Sequence, residues 1–207
     1  MKDLWNERYR QSDFVYGDQP NVYFAEKLAG LKLGKAIFPA EGEGRNAVFA
    51  ATKGFEVDAF DQSEEGKKKA ERLADKNSVT ITYNSVSADQ INYENGSFDL
   101  LVMIFAHFPE KMRRDLHRQF SSLVRKGGKI ILEGFSKDHS VFQKENPKAG
   151  GPKDSEMLYD IEDLKTDFFD FDFQEAFISE TVLNEGPYHQ GKASVVRLFG
   201  TKKIEKV

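Results

Sequence analysis

Phe98 to Phe105 carries apolar side chains at nearly every position, broken only by Asp99. A strand reads this way when helices cover both of its faces, which is the environment of a central strand in a parallel sheet. The longest unbroken apolar run, Leu100 to Ala106, is seven residues, where a membrane span takes about 20. The sequence around it alternates short strand-like runs with helical patterns. Strands are predicted at Lys35–Pro39, Phe55–Phe60, Val79–Tyr83, Phe98–Phe105 and Lys129–Glu133. Helices are predicted at Arg45–Lys53, Glu64–Asp75 and Glu110–Arg125. In the second of these, Glu64/Lys68 and Glu65/Lys69 form i,i+4 pairs. Phe135–Tyr159 is polar and rich in Gly and Pro, and reads as a long loop. A short helix near Asp160–Phe168 follows, then strands near Phe173–Leu183 and Ala193–Gly200 with no helix between them. Parallel neighbours need a crossover, so this last pair is expected to be antiparallel.

Composition narrows the class. The 207 residues suit one domain. With no Cys there is no disulfide framework, thiolate metal site or cysteine nucleophile, and the chain fits a reducing cytoplasm. A net charge of −4 with well-mixed signs argues against a dedicated nucleic-acid surface. Lys67-Lys68-Lys69 and Lys202-Lys203 read as solvated faces. The N-terminus is charged within three residues and shows no signal-peptide core.

The segment from Ala36 to Ala47 runs strand, glycine loop, helix start. Gly42 and Gly44 let the backbone approach a ligand without Cβ clashes. A helix beginning near Arg45 offers free N–H groups to an anion. Asp61, 17 residues past Gly44, ends the second strand, where an acid accepts hydrogen bonds from ribose hydroxyls. Gly42-Glu43-Gly44-Arg45-Asn46-Ala47 satisfies the nucleotide fingerprint GxGxxG/A. NAD(P)-dependent oxidoreductases and S-adenosylmethionine (SAM) methyltransferases both use this arrangement.

Several stretches resemble the class I SAM-dependent methyltransferases, with the tellurite-resistance-type branch the most similar. They are Trp5-Asn6-Glu7-Arg8-Tyr9 with Tyr16-Gly17 and Pro20-Asn21, then Glu41–Ala47, then Phe60-Asp61-Gln62-Ser63. Ser97-Phe98-Asp99-Leu100 and Leu123–Lys129 complete the set. The resemblance implies a Rossmann-like doubly wound α/β fold. Its seven-stranded sheet is mostly parallel, with an antiparallel C-terminal hairpin strand. It implies one domain over residues 1–207, with a helical lid segment over 1–30 and a substrate-side excursion over 135–159. SAM is the implied cofactor, S-adenosylhomocysteine (SAH) the product, and a small molecule the acceptor; no metal, nucleic acid or membrane is expected. The cofactor-binding positions carried over are Ala40, Glu41, Gly42, Gly44, Asp61, Gln62, Ser87, Ala88 and Ile104. The chain departs from the family pattern at Phe38 and Ala40, which stand where an acid and a first Gly are usual. Glu41 is a candidate to replace that acid.

Three functions are compatible with these residues: a methyltransferase, an NAD(P)-dependent oxidoreductase, and a SAM-binding module without catalysis. Methyl transfer needs mainly positioning, because the sulfonium is already activated. His107 follows the fourth strand at the ligand-binding end of the sheet, as a general base or as a ring that shapes the pocket. His139 and His189 fall in the late loops, and His117 is expected to face solvent. Four scattered His form no recognisable metal site. Trp5, Tyr9, Phe14 and Tyr16 concentrate aromatics in the N-terminal segment, and Trp5, Tyr9 and Tyr16 are taken as a lid over the cofactor, since aromatic faces attract a sulfonium. Phe14, Phe108, Phe135 and Phe142 are candidate pocket walls.

Overall fold

A computed structural model describes residues 2–11 and 13–204; Met1, Ser12 and residues 205–207, which the expected 1–207 domain includes, lie outside the described residues. The strands are β1 (Lys35–Pro39), β2 (Glu56–Asp61), β3 (Thr82–Ser85), β4 (Phe98–Ile104), β5 (Val124–Phe135), β6 (Phe171–Asn184) and β7 (Gln190–Lys202). The helices are α1 (Lys2–Tyr9), α2 (Val22–Leu28), α3 (Arg45–Thr52), α4 (Glu64–Lys76), α5 (Glu110–Leu123), α6 (His139–Glu145) and α7 (Ile161–Asp167).

The strands form one sheet in the order β3-β2-β1-β4-β5-β7-β6. β1 to β5 run parallel, and β7 lies antiparallel between β5 and β6. This is the expected Rossmann-like arrangement. The strand order reverses between β1 and β4, so the ligand crevice lies at the carboxyl ends of those two strands.

The apolar run in β4 is buried on both faces. Leu101 and Met103 join a core with Leu116 and Phe120 of α5 and Leu164 of α7. Leu100, Val102 and Ile104 join the opposite core with Tyr23 and Phe24 of α2 and Ala47 of α3. Phe38, at the position where the family carries an acid, belongs to this second core and meets Phe24 edge-on at 5.8 Å.

Several expectations are corrected. β3 begins three residues later than predicted, because α4 runs to Lys76 and Val79 N–H is used to close it on Ala74. The stretch 135–159 is not one loop: it holds α6 and short 3-10 turns at Pro147–Ala149 and Ser155–Met157. His117 is not solvent-facing. α7 packs across α5, so the ring is fully buried, stacked on Phe168 and 2.9 Å from Asp167. Lys69 is not part of a solvated face, since its Nζ makes a buried ion pair with Glu43 at 2.6 Å. The pairing on α4 is therefore Lys68 with Glu65 and Lys67 with Glu71. Phe108 and Phe135 are buried, Phe108 in the core beneath α5.

Candidate active site

After β1 the chain turns through three left-handed residues, Ala40 (φ 51°), Gly42 (φ 65°) and Gly44 (φ 87°). Ala40 takes this conformation with a side chain, at a cost of about 1–2 kcal/mol. The loop is held to β2 by Glu41 N–H, which donates to the Phe60 carbonyl at 3.1 Å. Both glycines meet atoms of the chain itself. A Cβ on Gly42 would stand 2.6 Å from the Tyr9 hydroxyl, and one on Gly44 would stand 2.5 Å from Ala70 Cβ.

The acids of the loop each hold a separate part of it. Glu41 Oε1 accepts from Asn46 and Ala47 N–H at 2.9 and 2.8 Å, so it caps α3. Burial lifts its carboxyl to about 7 against those hydrogen bonds. Glu43 Oε2 accepts from Val15 and Tyr16 N–H, while Oε1 takes the Lys69 ammonium. The N-terminal segment is thereby tied to the loop. Asp61 accepts from Gly42 N–H at 3.2 Å and Ser63 N–H at 2.8 Å. Burial raises it to about 6 despite these donors. Gln62 sits between, partly exposed, and its backbone N–H also serves Asp61.

α1 lies against α4. Asn6 Oδ1 accepts from the Ser63 hydroxyl at 2.7 Å, and Trp5 stacks on Tyr9 at 5.4 Å. Tyr16 is further along, bonded to Arg8 at 2.9 Å and 4.5 Å from the His189 ring. Ser87 and Ala88 follow β3. Ser87 donates to Asp89, and Ala88 opens a 3-10 turn packed on the core. Ile104 closes β4 and is 9% exposed. The structure thus brings Tyr9, Gly42 and Asp61 together, while Trp5 reaches the loop only through Tyr9.

His107 has both ring nitrogens engaged. Nδ1 lies 2.8 Å from the Met157 carbonyl, and Phe135 N–H donates to Nε2 at 3.0 Å. The ring stacks on Tyr159 at 4.4 Å. Burial pushes its pKa down to about 3, so it is neutral with no free lone pair. This geometry ties the end of β5 to Met157 and Tyr159.

Sequence reasoning passed over a second polar group at the same end of the sheet. Arg45, the first residue of α3, contacts Glu185 at 2.8 Å, and Glu185 lies 3.3 Å from His189 Nδ1. Asn21 Nδ2 donates to both Glu185 and Glu133, and Arg197 pairs with Glu133. Signals for it were present: Arg45 directly follows the glycine loop, and Glu133 interrupts an apolar strand. Asn21, Arg45, Glu133, Glu185 and Arg197 line a cavity of about 380 Å³ between residues 16–23 and 181–186. Among the described residues, no three His, Cys, Asp or Glu side chains are grouped to hold a metal ion.

Residues 40–128 match the model of a family described as a methyltransferase domain. This stretch is a methyltransferase domain. The match supports methyl transfer with SAM as cofactor over the oxidoreductase alternative. The residues fit that cofactor at Asp61, which keeps unused acceptor capacity at the end of β2. Solved structures share the fold of the methyltransferase. One was solved for the conversion of a disulfide bond into a thioacetal group during echinomycin biosynthesis. It is 17% identical with a TM-score of 0.77, over 100% of this chain and 93% of that one. TehB from Haemophilus influenzae is 15% identical with a TM-score of 0.71, over 98% of this chain and 67% of that one. Magnesium protoporphyrin IX methyltransferase from Synechocystis, solved with bound SAH, is 17% identical with a TM-score of 0.72, over 98% of each. No curated protein matches the sequence.

Proposed function

We propose that the chain moves a methyl group directly from SAM to a small-molecule acceptor at the carboxyl ends of β1 and β4. The observation that carries this reading is the cavity of about 380 Å³ lined by Tyr16, Asn21, Arg45, Glu133, Glu185 and Arg197. A concave site of that size suits a small molecule. Phe105, Phe135 and His189 pack ring on ring at 4.5–5.2 Å, and Tyr16, 4.5 Å from His189, joins them to the cavity. Two structural neighbours, those concerned with echinomycin and with magnesium protoporphyrin IX, point the same way.

In this reading Gly42, Gly44, Asp61 and the turn at Ser87-Ala88 hold the cofactor, with Ala40, Glu41, Gln62 and Ile104 shaping the same wall. Trp5, Tyr9 and Tyr16 form the lid over it, and His107 orients the wall behind the acceptor rather than taking a proton. With no Cys in the chain, the methyl group passes straight to the acceptor. The net charge of −4 suits an acceptor other than nucleic acid, and the lack of Cys suits a cytoplasmic location. Among the described residues, no helix is long and apolar enough to cross a membrane.

The test is incubation with methyl-labelled SAM and a panel of small thiols, phenols, carboxylic acids and amines, beside bulk protein and RNA. SAH together with a labelled small product is expected. Label passing only to protein or RNA contradicts the small-molecule acceptor. SAH binding without label transfer to any acceptor marks a non-catalytic binding module.

A further inference from the structure

Arg45 has more hydrogen-bonding capacity than its surroundings use. Its Nη2 pairs with Glu185 at 2.8 Å, while Nη1 is buried with no hydrogen-bond partner among the described residues. The residue is 7% exposed and lines the cavity of about 380 Å³. A buried charged donor without an acceptor is costly, and in a native site it calls for an explanation.

The acids of the same lining do not answer this donor. Glu133 accepts from Asn21 at Oε1 and from Arg197 at Oε2. Glu185 accepts from Asn21 at Oε1, and its Oε2 takes Arg45 Nη2 with His189 Nδ1 at 3.3 Å. Burial opposes the charge on Glu185, but His189 and Arg45 outweigh it and hold the carboxyl at about 2. Asp18, also in the lining, pairs with Lys76. Each of these acids already has a cation, so the lining has no call for a cationic ligand. What is left over is one end of a guanidinium fork.

The cavity lies beside the cofactor wall rather than within it. Arg45 directly follows Gly44, and Glu133 stands opposite Ile104 in the β4–β5 register. Yet the lining contains none of Gly42, Asp61, Ser87 and Ala88. Tyr16, Pro20, Tyr23 and Leu183 give it apolar walls.

We propose that this cavity takes the methyl acceptor by a carboxylate, with Arg45 Nη1 donating to one carboxylate oxygen. This rests on the methyl-transfer reading above and deepens it: the acceptor is a small organic acid whose apolar body lies against the tyrosines. A guanidinium is planar and presents its donors in a fixed fork. Nη2 on Glu185 therefore fixes the plane in which Nη1 meets the ligand, and Glu185 is a positioning residue.

The test needs no known acceptor. Benzoate, 3-phenylpropanoate and hexanoate, each beside its primary amide, are titrated into the SAH-saturated chain and followed by saturation-transfer NMR. Each acid is expected to bind at least tenfold more tightly than its amide. Arg45→Met alone would leave Glu185 buried without its cation, so the balanced variant Arg45→Met/Glu185→Gln is used, with circular dichroism to check the fold. It is expected to lose the preference for acids while SAH affinity stays within twofold. Arg45→Lys, which keeps the charge but not the fork, carries the same expectation should the double variant not fold. Amides binding as well as acids, no acid binding at about 10 mM, or a preference kept in the variants each overturns the proposal. A tenfold loss of SAH affinity in the variants, with 5′-methylthioadenosine bound as before, gives Arg45 to the cofactor's own carboxylate and overturns it too. Absence of SAH binding by the unaltered chain instead overturns the methyl-transfer reading beneath it.

Discussion

The Tyr9 hydroxyl lies 2.6 Å from the place a Cβ on Gly42 would occupy, so the N-terminal helix and the glycine loop share one surface. Gly44 is confined differently, by Ala70 Cβ at 2.5 Å and Ala70 Cα at 2.8 Å. The two glycines of the fingerprint therefore fail in different ways when substituted. In Gly42→Ala the tip of a tyrosine side chain gives way, and the main cost is the left-handed backbone, about 1–2 kcal/mol. In Gly44→Ala a helix backbone must move, at about 2–4 kcal/mol. Urea unfolding is expected to rank Gly44→Ala as the more damaging, with Ala70→Gly restoring part of its stability. Equal losses, or no rescue, contradict the packing described for α3 against α4.

Lys69→Met leaves Glu43 buried without its cation. A buried pair broken on one side costs about 3–5 kcal/mol. The double variant Glu43→Gln/Lys69→Met is expected to be more stable than Lys69→Met alone. If the single and double variants unfold at the same urea concentration, the pair is not the tie that holds residues 13–16 to the loop.

Removing residues 1–11 takes away Trp5 and Tyr9 but keeps the backbone of Val15 and Tyr16 on Glu43. The core is expected to stay folded by circular dichroism while SAH affinity falls at least tenfold. Removing residues 1–20 also uncovers the Glu43–Lys69 pair, so that shortened chain is expected to unfold at lower temperature. Normal SAH affinity after the shorter deletion rejects the lid.

The parts of the molecule legible in the sequence were those set by local periodicity. The apolar run of β4, the glycine loop, and the final strands with no helix between them gave the sheet its class. The parts missed depend on what arrives from far along the chain. His117 stands beside the stripe of Leu116 and Phe120, and only the packing of Asp167 and Phe168 from α7 buries it. Lys69 belongs to a run of three lysines, and what separates it from Lys67 and Lys68 is a carboxylate 26 residues earlier. The Arg45–Glu185–His189 group spans most of the chain, so no spacing rule reveals it. At Glu41 the candidate replacement for the missing family acid proved to cap α3, a use open to any acid one turn before a helix.

Stability without ligand is expected to depend on pH through Asp61 and Glu41. Burial raises their folded pKa values from 3.8 to about 6 and from 4.5 to about 7. Between those values each of these two acids holds more protons in the folded chain than in the unfolded chain, so their contribution to stability falls as pH rises from about 4 to about 7, while His107, pushed down to about 3, contributes in the opposite sense. Asp61→Asn is expected to remove the lower part of that falling contribution and Glu41→Gln the upper part, read as the difference between variant and parent in thermal melts across the range. Differences that do not change with pH over this interval contradict the buried placement of both acids.

The most direct test of the central claim is calorimetric titration of the chain with SAH, SAM, NADH and NADPH, repeated on Asp61→Ala. The account predicts binding of SAH and SAM, none of either nicotinamide cofactor, and a loss of about 1.5–3 kcal/mol in SAH affinity for the variant. Binding of NADH or NADPH alone, or SAH affinity unchanged in Asp61→Ala, contradicts it.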